Sequence, residues 1–155
     1  MKIILFFCGK IKPSEFFYIE NIYIRRLINR NVDVIEYKNN KKDNNSKISQ
    51  KNIIQFTQPQ DFIVICDERG KVLTTDRLVS LIRESREKSK YLTNYKRLVF
   101  IIGSPSGFSD DVRNNANLVF SLSGLILGGG IARLVLLEAL YRANMILDNH
   151  PYHNE

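Results

Sequence analysis

Five short strand-like runs recur along this chain with helix-like blocks between them: Lys2–Cys8, Val32–Tyr37, Asp61–Cys66, Arg97–Ile102 and Asn117–Ser121. The first, KIILFFC, is apolar almost throughout and is bounded by Gly9, the pattern of a strand covered on both faces. After it, Ser14–Asn29 places Phe17, Ile19, Ile22, Ile24 and Leu27 at helical spacing. Arg25, Arg26 and Arg30 gather near its C-terminal end, where a helix dipole favours cations. The polar segment KNNKKDNNS, Lys38–Ser46, reads as a loop, and a short helix is expected over Lys47–Phe56. The third run is expected to end in the turn Asp67-Glu68-Arg69-Gly70. Thr74 or Thr75 then caps a helix over Asp76–Lys90 with a charged outer face. Ser109 caps a further short helix that has Asp110 and Asp111 in its first turn, and a last helix is expected from about Ile131 to Leu147. Alternation of this kind predicts an α/β fold with a mostly parallel sheet. With 155 residues, no internal repeat and no dividing linker, a single domain over residues 1–155 is expected.

Lys and Arg outnumber Asp and Glu by 23 to 16, a net charge of +7, which suits an anionic partner. No long Lys/Arg block marks a nucleic-acid-binding tail. Cys8 and Cys66 each sit inside a strand-like apolar run, so buried thiols in a reducing compartment are expected rather than a disulfide or a metal pair. The opening MKIILFFCGK lacks the cleavage site of a signal peptide. No stretch approaches the ~18–20 apolar residues of a membrane span. A cytoplasmic protein without a membrane partner is expected.

Three strands end in special segments: DERG after the third, GSPSG (Gly103–Gly107) after the fourth, and GLILGGG (Gly124–Gly130) after the fifth. In a parallel sheet all three emerge at the carboxyl edge, where open α/β folds bind ligands. A dinucleotide fold needs its GxGxxG turn after the first strand and more strands downstream. Here the glycines follow the last strand, so that reading fails, and a Walker-type loop is also absent. The last helix is apolar nearly all round, which predicts burial on more than one side, the second against another subunit. Arg133 lies in its first turn, where the dipole disfavours a cation, and is a candidate for an anion contact. Glu138 and Arg142 form an i,i+4 pair that is either structural or functional. His150 and His153 close the chain in HPYH, either as a solvated tail or as a functional one. Zinc is excluded for want of further ligands.

Together these residues resemble the RlmH-type ribosomal RNA large-subunit methyltransferases, small members of the SPOUT superfamily. The resemblance spans the chain and is strongest from Arg97 onward. It rests on Gly9-Lys10, Asp67 with Gly70-Lys71, Gly103 to Gly107, Ser121-Leu122-Ser123, Arg133, Glu138, Tyr141-Arg142-Ala143 and His150-Pro151-Tyr152-His153. It implies a SPOUT-type α/β knot: a mostly parallel five- to six-stranded sheet flanked by helices, with a C-terminal trefoil knot, an exception to the no-knot rule. It further implies a homodimer with its active site between subunits. The reaction implied is methylation, by S-adenosyl-L-methionine, of N3 of a pseudouridine in 23S rRNA on the assembled 70S ribosome. By resemblance the cofactor is cradled by Ile65, Cys66, Asp67, Gly103, Ser104, Gly107, Ser121, Leu122, Ser123, Gly124, Leu125, Ile126, Leu127 and Gly128. Tyr152, His153 and Arg142 serve catalysis, Arg133 and Lys10 contact RNA, and no metal takes part. The chain departs from the family pattern at Gly128-Gly129, where members commonly carry Pro-His. It departs also at Ser104, commonly a glycine, and at Asn154, commonly basic. These departures leave two alternatives: a knotted ribosome- or RNA-binding protein with impaired catalysis, or a methyltransferase of a different RNA.

Overall fold

Along the first strand, neighbouring residues enter opposite sides of one sheet. Ile3, Leu5 and Phe7 join one apolar cluster, and Ile4 and Phe6 the other. In the computed structural model, which describes residues 1–8, 15–37, 47–87 and 89–151, this strand is β1 (Lys2–Cys8). After it come α1 (Glu15–Ile28), β2 (Val32–Tyr37), α2 (Gln50–Ile54), β3 (Asp61–Val72), α3 (Thr75–Glu87), β4 (Arg97–Ile102), α4 (Asp110–Asn115), β5 (Leu118–Ser121) and α5 (Gly129–Leu147). The strands form one five-stranded sheet in the order β2-β1-β4-β3-β5, with every pairing parallel. The expected α/β architecture is the one observed.

β4 repeats the parity of β1: Leu98, Phe100 and Ile102 face the cluster shared with α1, α3 and α5, while Val99 and Ile101 face α2 and α4. Both faces are covered, so the apolar runs show no polar alternation. Burying one such side chain, Phe100 for example, contributes about 1.5–3 kcal/mol. At the amino edge, Asp61 and Arg97 stand in register. Arg97 donates to both oxygens of the fully buried Asp61 carboxylate, at 2.6 and 2.5 Å.

β3 departs from expectation. It does not stop at Cys66 but continues to Val72, and its pairing with β5 jumps between Cys66 and Lys71, both opposite Phe120. The DERG segment is therefore a bulge within the strand. Asp67 Oδ1 accepts the Arg69 N–H at 2.9 Å, and the chain then rejoins β5, where Leu73 N–H donates to Ser121 O at 2.8 Å. Gly70 is required at the rejoining point: a Cβ there would stand 2.6 Å from Val119 O.

α5 begins at Gly129, two residues before the expected start, and is flanked by α1 and α3, so much of its apolar surface is covered within the chain. It runs from the carboxyl edge of the sheet back to the amino edge. There Asp148 meets the guanidinium of Arg30, just beyond α1, and accepts from Arg86 of α3 at 2.8 Å. The helix closes in a Schellman arrangement: Asn149 has φ 52°, its N–H donates to Ile146 O at 3.1 Å, and His150 N–H donates to Met145 O at 2.9 Å.

Candidate active site

The segments after β3, β4 and β5 do converge at the carboxyl edge. A cleft there is lined by Cys66, Asp67, Glu68 and Arg69 from β3, by Ile102 and Gly103–Phe108 after β4, and by Ser121–Ser123 and Leu125–Leu127 after β5. Lys47, Arg113, Gly129 and Ala132 complete it.

Each loop is shaped by its own short-range chemistry. Gly107 N–H donates to Ser104 O at 2.8 Å, and Gly107 takes φ 70°, a conformation glycine adopts without strain. Gly103 lies against the Phe108 ring, where a Cβ would come within 3.0 Å. After β5, Ser121 Oγ donates to Ser123 O at 2.6 Å and Ser123 Oγ accepts the Leu125 N–H at 2.9 Å. Those two bonds fold Ser121-Leu122-Ser123 into a turn and push Leu125 and Ile126 outward, 75% and 81% exposed. Across the rim, Arg113 of α4 donates from Nε to Asp67 Oδ2 at 2.9 Å and from Nη1 to Asp110 Oδ1 at 2.7 Å. Cys66 also lines the cleft, and burial pushes its thiol up to about 12.

Most of the residues expected around the cofactor line this cleft: Cys66, Asp67, Gly103, Ser104, Gly107, Ser121, Leu122, Ser123, Leu125, Ile126 and Leu127. Gly124 and Gly128 belong to the same loop but do not line it. Ile65 is a correction: it points to the opposite face of β3 from Val64 and Cys66 and is fully buried against α2 and α4. Arg133 is a second. Its side chain turns into the protein, with its guanidinium carbon 4.2 Å above the Phe7 ring, Nη2 3.1 Å from Glu36 and Nε 3.4 Å from Glu20. The anions it meets are the chain's own carboxylates, because α5 packs that face of its first turns onto α1 and the end of β2. Arg142 pairs with Glu138 at 2.5 Å, toward the amino-edge end of α5 and away from the cleft of its own chain. Lys10, Tyr152 and His153 lie outside the described residues. Arg113 is a cleft residue that sequence reasoning missed, whereas Glu68 and Arg69 belong to the DERG segment expected at this edge. For Arg113 the available signal was its i+3 spacing from Asp110 on a short acidic helix.

Among the described residues, no group of three or more His, Cys, Asp or Glu side chains is placed to hold a metal ion. No helix among them is long and apolar enough to cross a membrane. A large apolar surface does remain open: Phe16, Phe17 and Ile19 on the first half of α1 and Ile131 at the start of α5 are each 39–48% exposed. Phe16 lies close to Gly130, so the patch runs across both helices.

Comparison with known proteins gives this geometry its context. The family model described as "Predicted SPOUT methyltransferase" matches residues 1–153. The Ribosomal RNA large subunit methyltransferase H of Parabacteroides distasonis is 36% identical over 162 aligned positions covering all of both chains, and that of Bacteroides thetaiotaomicron is 35% identical with the same coverage. The protein of that name from Neisseria gonorrhoeae is 37% identical over 106 positions, 68% of this chain and 64% of its own. An α/β chain with a five-stranded parallel sheet, a cleft at its carboxyl edge, a family model matched over residues 1–153 and full-length similarity to the first two of these proteins belongs to the SPOUT methyltransferase family.

Proposed function

We propose that the chain is an S-adenosyl-L-methionine-dependent methyltransferase of the large ribosomal subunit RNA, acting on N3 of a pseudouridine in 23S rRNA of the assembled 70S ribosome in the cytoplasm. The observation that carries the reading is the convergence of the segments after β3, β4 and β5 on one cleft in a chain of this family. The lining fits the cofactor's chemistry. Leu122, Leu125, Ile126 and Leu127 offer an apolar flank for a purine, and the backbones of Ser104–Gly107 and Ser121–Ser123 offer amides and carbonyls for polar edges. The cofactor supplies a methyl group already activated on a sulfonium. The chain's remaining tasks are to position the base, exclude water and assist loss of the N3 proton.

The length of α5 supports a site shared between two chains. Its 19 residues span about 28 Å and separate the cleft edge from Pro151. By the family resemblance, Tyr152 and His153 serve the cleft of a second copy. Arg142, six residues before Asp148, accompanies that tail. The exposed patch of Phe16, Phe17, Ile19 and Ile131 offers the apolar surface a homodimer requires. In this reading Arg133 fastens α5 to α1 and β2, and both the RNA contact of Lys10 and the trefoil knot follow from the family resemblance.

Isothermal titration with S-adenosyl-L-methionine and transfer of its labelled methyl to free 23S RNA, 50S subunits and 70S ribosomes test the proposal. Binding to the cofactor and transfer to one base of the 70S particle are expected. A folded dimer that binds no cofactor, or ribosomes whose fragment masses do not change, would overturn it.

A further inference from the structure

The arginines of the helical layer divide by partner. Arg30 and Arg86 are held by Asp148, Arg133 by Glu20 and Glu36, and Arg142 by Glu138. Arg25 and Arg26, near the C-terminal end of α1, and Arg77 and Arg83 of α3 are exposed and have no carboxylate partner among the described residues; of these four only Arg26 has ring partners. Arg26 is nevertheless held in place. Its guanidinium carbon lies 5.2 Å from the centre of the Tyr141 ring and 5.9 Å from that of Tyr23, and the two rings meet edge-on with centroids 5.9 Å apart. Stacking of this kind uses the face of a guanidinium. It leaves the in-plane N–H groups free to make the paired hydrogen bonds with which arginine grips a phosphate.

The location matters as much as the chemistry. Tyr141 precedes Leu147 by six residues, about 9 Å of helix, so the stack sits at the end of the molecule from which the C-terminal tail departs. The apolar surface around Phe16 and Ile131 lies at the other end of the same helices, beside the cleft that the tail of a second copy enters in the proposed dimer. Two adjacent cations without counter-charges resist burial in a protein interface but suit a polyanion.

We infer that Arg26, braced by Tyr23 and Tyr141 and with Arg25 beside it, docks the sugar–phosphate backbone of structured RNA close to the base being modified. This rests on the proposed function and adds to it where the RNA backbone sits. Such a contact positions RNA without reading its sequence. Its loss therefore weakens ribosome engagement and leaves the cofactor site untouched.

The experiment compares wild type, Arg26→Ala and Arg26→Lys in three assays: sedimentation binding to 70S ribosomes across a salt series, methyl-transfer kinetics, and titration with S-adenosyl-L-methionine. Light scattering reports the oligomeric mass. For Arg26→Ala, an about tenfold rise in ribosome KM is expected, with a binding-versus-salt slope shallower by about one and unchanged cofactor affinity and mass. Arg26→Lys should restore the salt slope but only part of the KM, since it keeps the charge and loses the planar fork. Unchanged ribosome KM and salt slope in Arg26→Ala, beside an active wild type, would overturn this inference alone. A changed oligomeric mass would reassign Arg26 to a contact between copies and overturn it as well. A wild type that neither binds nor methylates ribosomes would remove both this inference and the proposed function.

Discussion

Arg113 reaches across the cleft rim to Asp67, its Nε 2.9 Å from Oδ2, and so ties α4 to the bulge of β3. The Asp67 side chain is 4% exposed and that of Arg113 14%, so removing the arginine strands a buried carboxylate, a loss of about 3 kcal/mol. For a chain of this size Arg113→Ala should lower the melting temperature by about 6–12 °C. It should also weaken cofactor binding, because the two walls lose their tie. Differential scanning fluorimetry and calorimetric titration check both, and a variant with wild-type stability and affinity would deny the pair any structural part in the cleft.

Two glycines should respond in opposite directions to alanine. At Gly70 the new Cβ would meet only backbone, Val119 O at 2.6 Å and Phe120 N and C at 2.7 Å, so relief requires β3 and β5 to separate. Overpacking of that kind costs about 2–3 kcal/mol. At Gly130, inside α5, the nearest neighbour is Phe16 Cδ2 at 3.5 Å, an ordinary contact. There, in the first turn of α5, the substitution removes freedom from the unfolded chain and should stabilise by about 0.4–1 kcal/mol. Denaturant midpoints of the two variants should fall on either side of the wild-type value, and midpoints displaced in the same direction would contradict the packing described.

Stability should depend on pH through Glu20. Its side chain is 1% exposed, and burial lifts its pKa above the ordinary 4.5, a shift that Arg133 opposes and Glu36 reinforces. A native pKa above the unfolded one means the folded chain holds the proton more tightly. This contribution is complete below about pH 4.5 and is lost as pH rises through the native value. Glu20→Gln removes the dependence, so the variant's melting temperature relative to wild type should rise from pH 4.5 to pH 8. A difference that stays flat or shrinks would mean that attraction to Arg133 outweighs the cost of burial.

The cysteines should be inert in the folded state. Burial pushes both thiols up to about 12, leaving about one thiolate in ten thousand at pH 8. Ellman's reagent should detect almost no thiol over minutes in the native chain and both Cys8 and Cys66 in guanidinium. Rapid native labelling of Cys66 would mean that the cleft floor opens.

Where an element's identity depended on its own residues, the sequence was sufficient. β1 and β4 were bounded correctly because runs covered on both faces are apolar nearly throughout, and β2, a half-exposed edge strand, was bounded by the polar segments on either side of VDVIEY. Ser109 capped α4 as expected, its Oγ accepting Val112 N–H at 3.4 Å. β3 was not readable past Cys66, because DERG has turn composition and is kept in the strand by pairing with β5, some fifty residues away. Gly129 and Gly130 read as loop since glycine disfavours helix, yet Ala132 N–H reaches Gly128 O at 2.9 Å and winds them into α5. The cleft followed the same division. Three loops at one edge were visible from spacing, whereas the inward turn of Arg133 and the reach of Arg113 to Asp67 depend on partners distant in the chain. Ile65 was misassigned because adjacency to Cys66 in sequence places it on the other face of the strand.

α5 carries the cleft loop at one end and the closed turn of Asn149 and His150 at the other, with no glycine or proline between Ile131 and Leu147 to absorb a change. Its length is therefore a register. One residue added within it shifts the far end by about 1.5 Å and rotates it by about 100°, carrying the Asp148 clamp away from Arg30 and Arg86 and aiming the tail elsewhere. This helix must keep its count, because the angle at which the tail leaves is set nineteen residues earlier, where the helix starts.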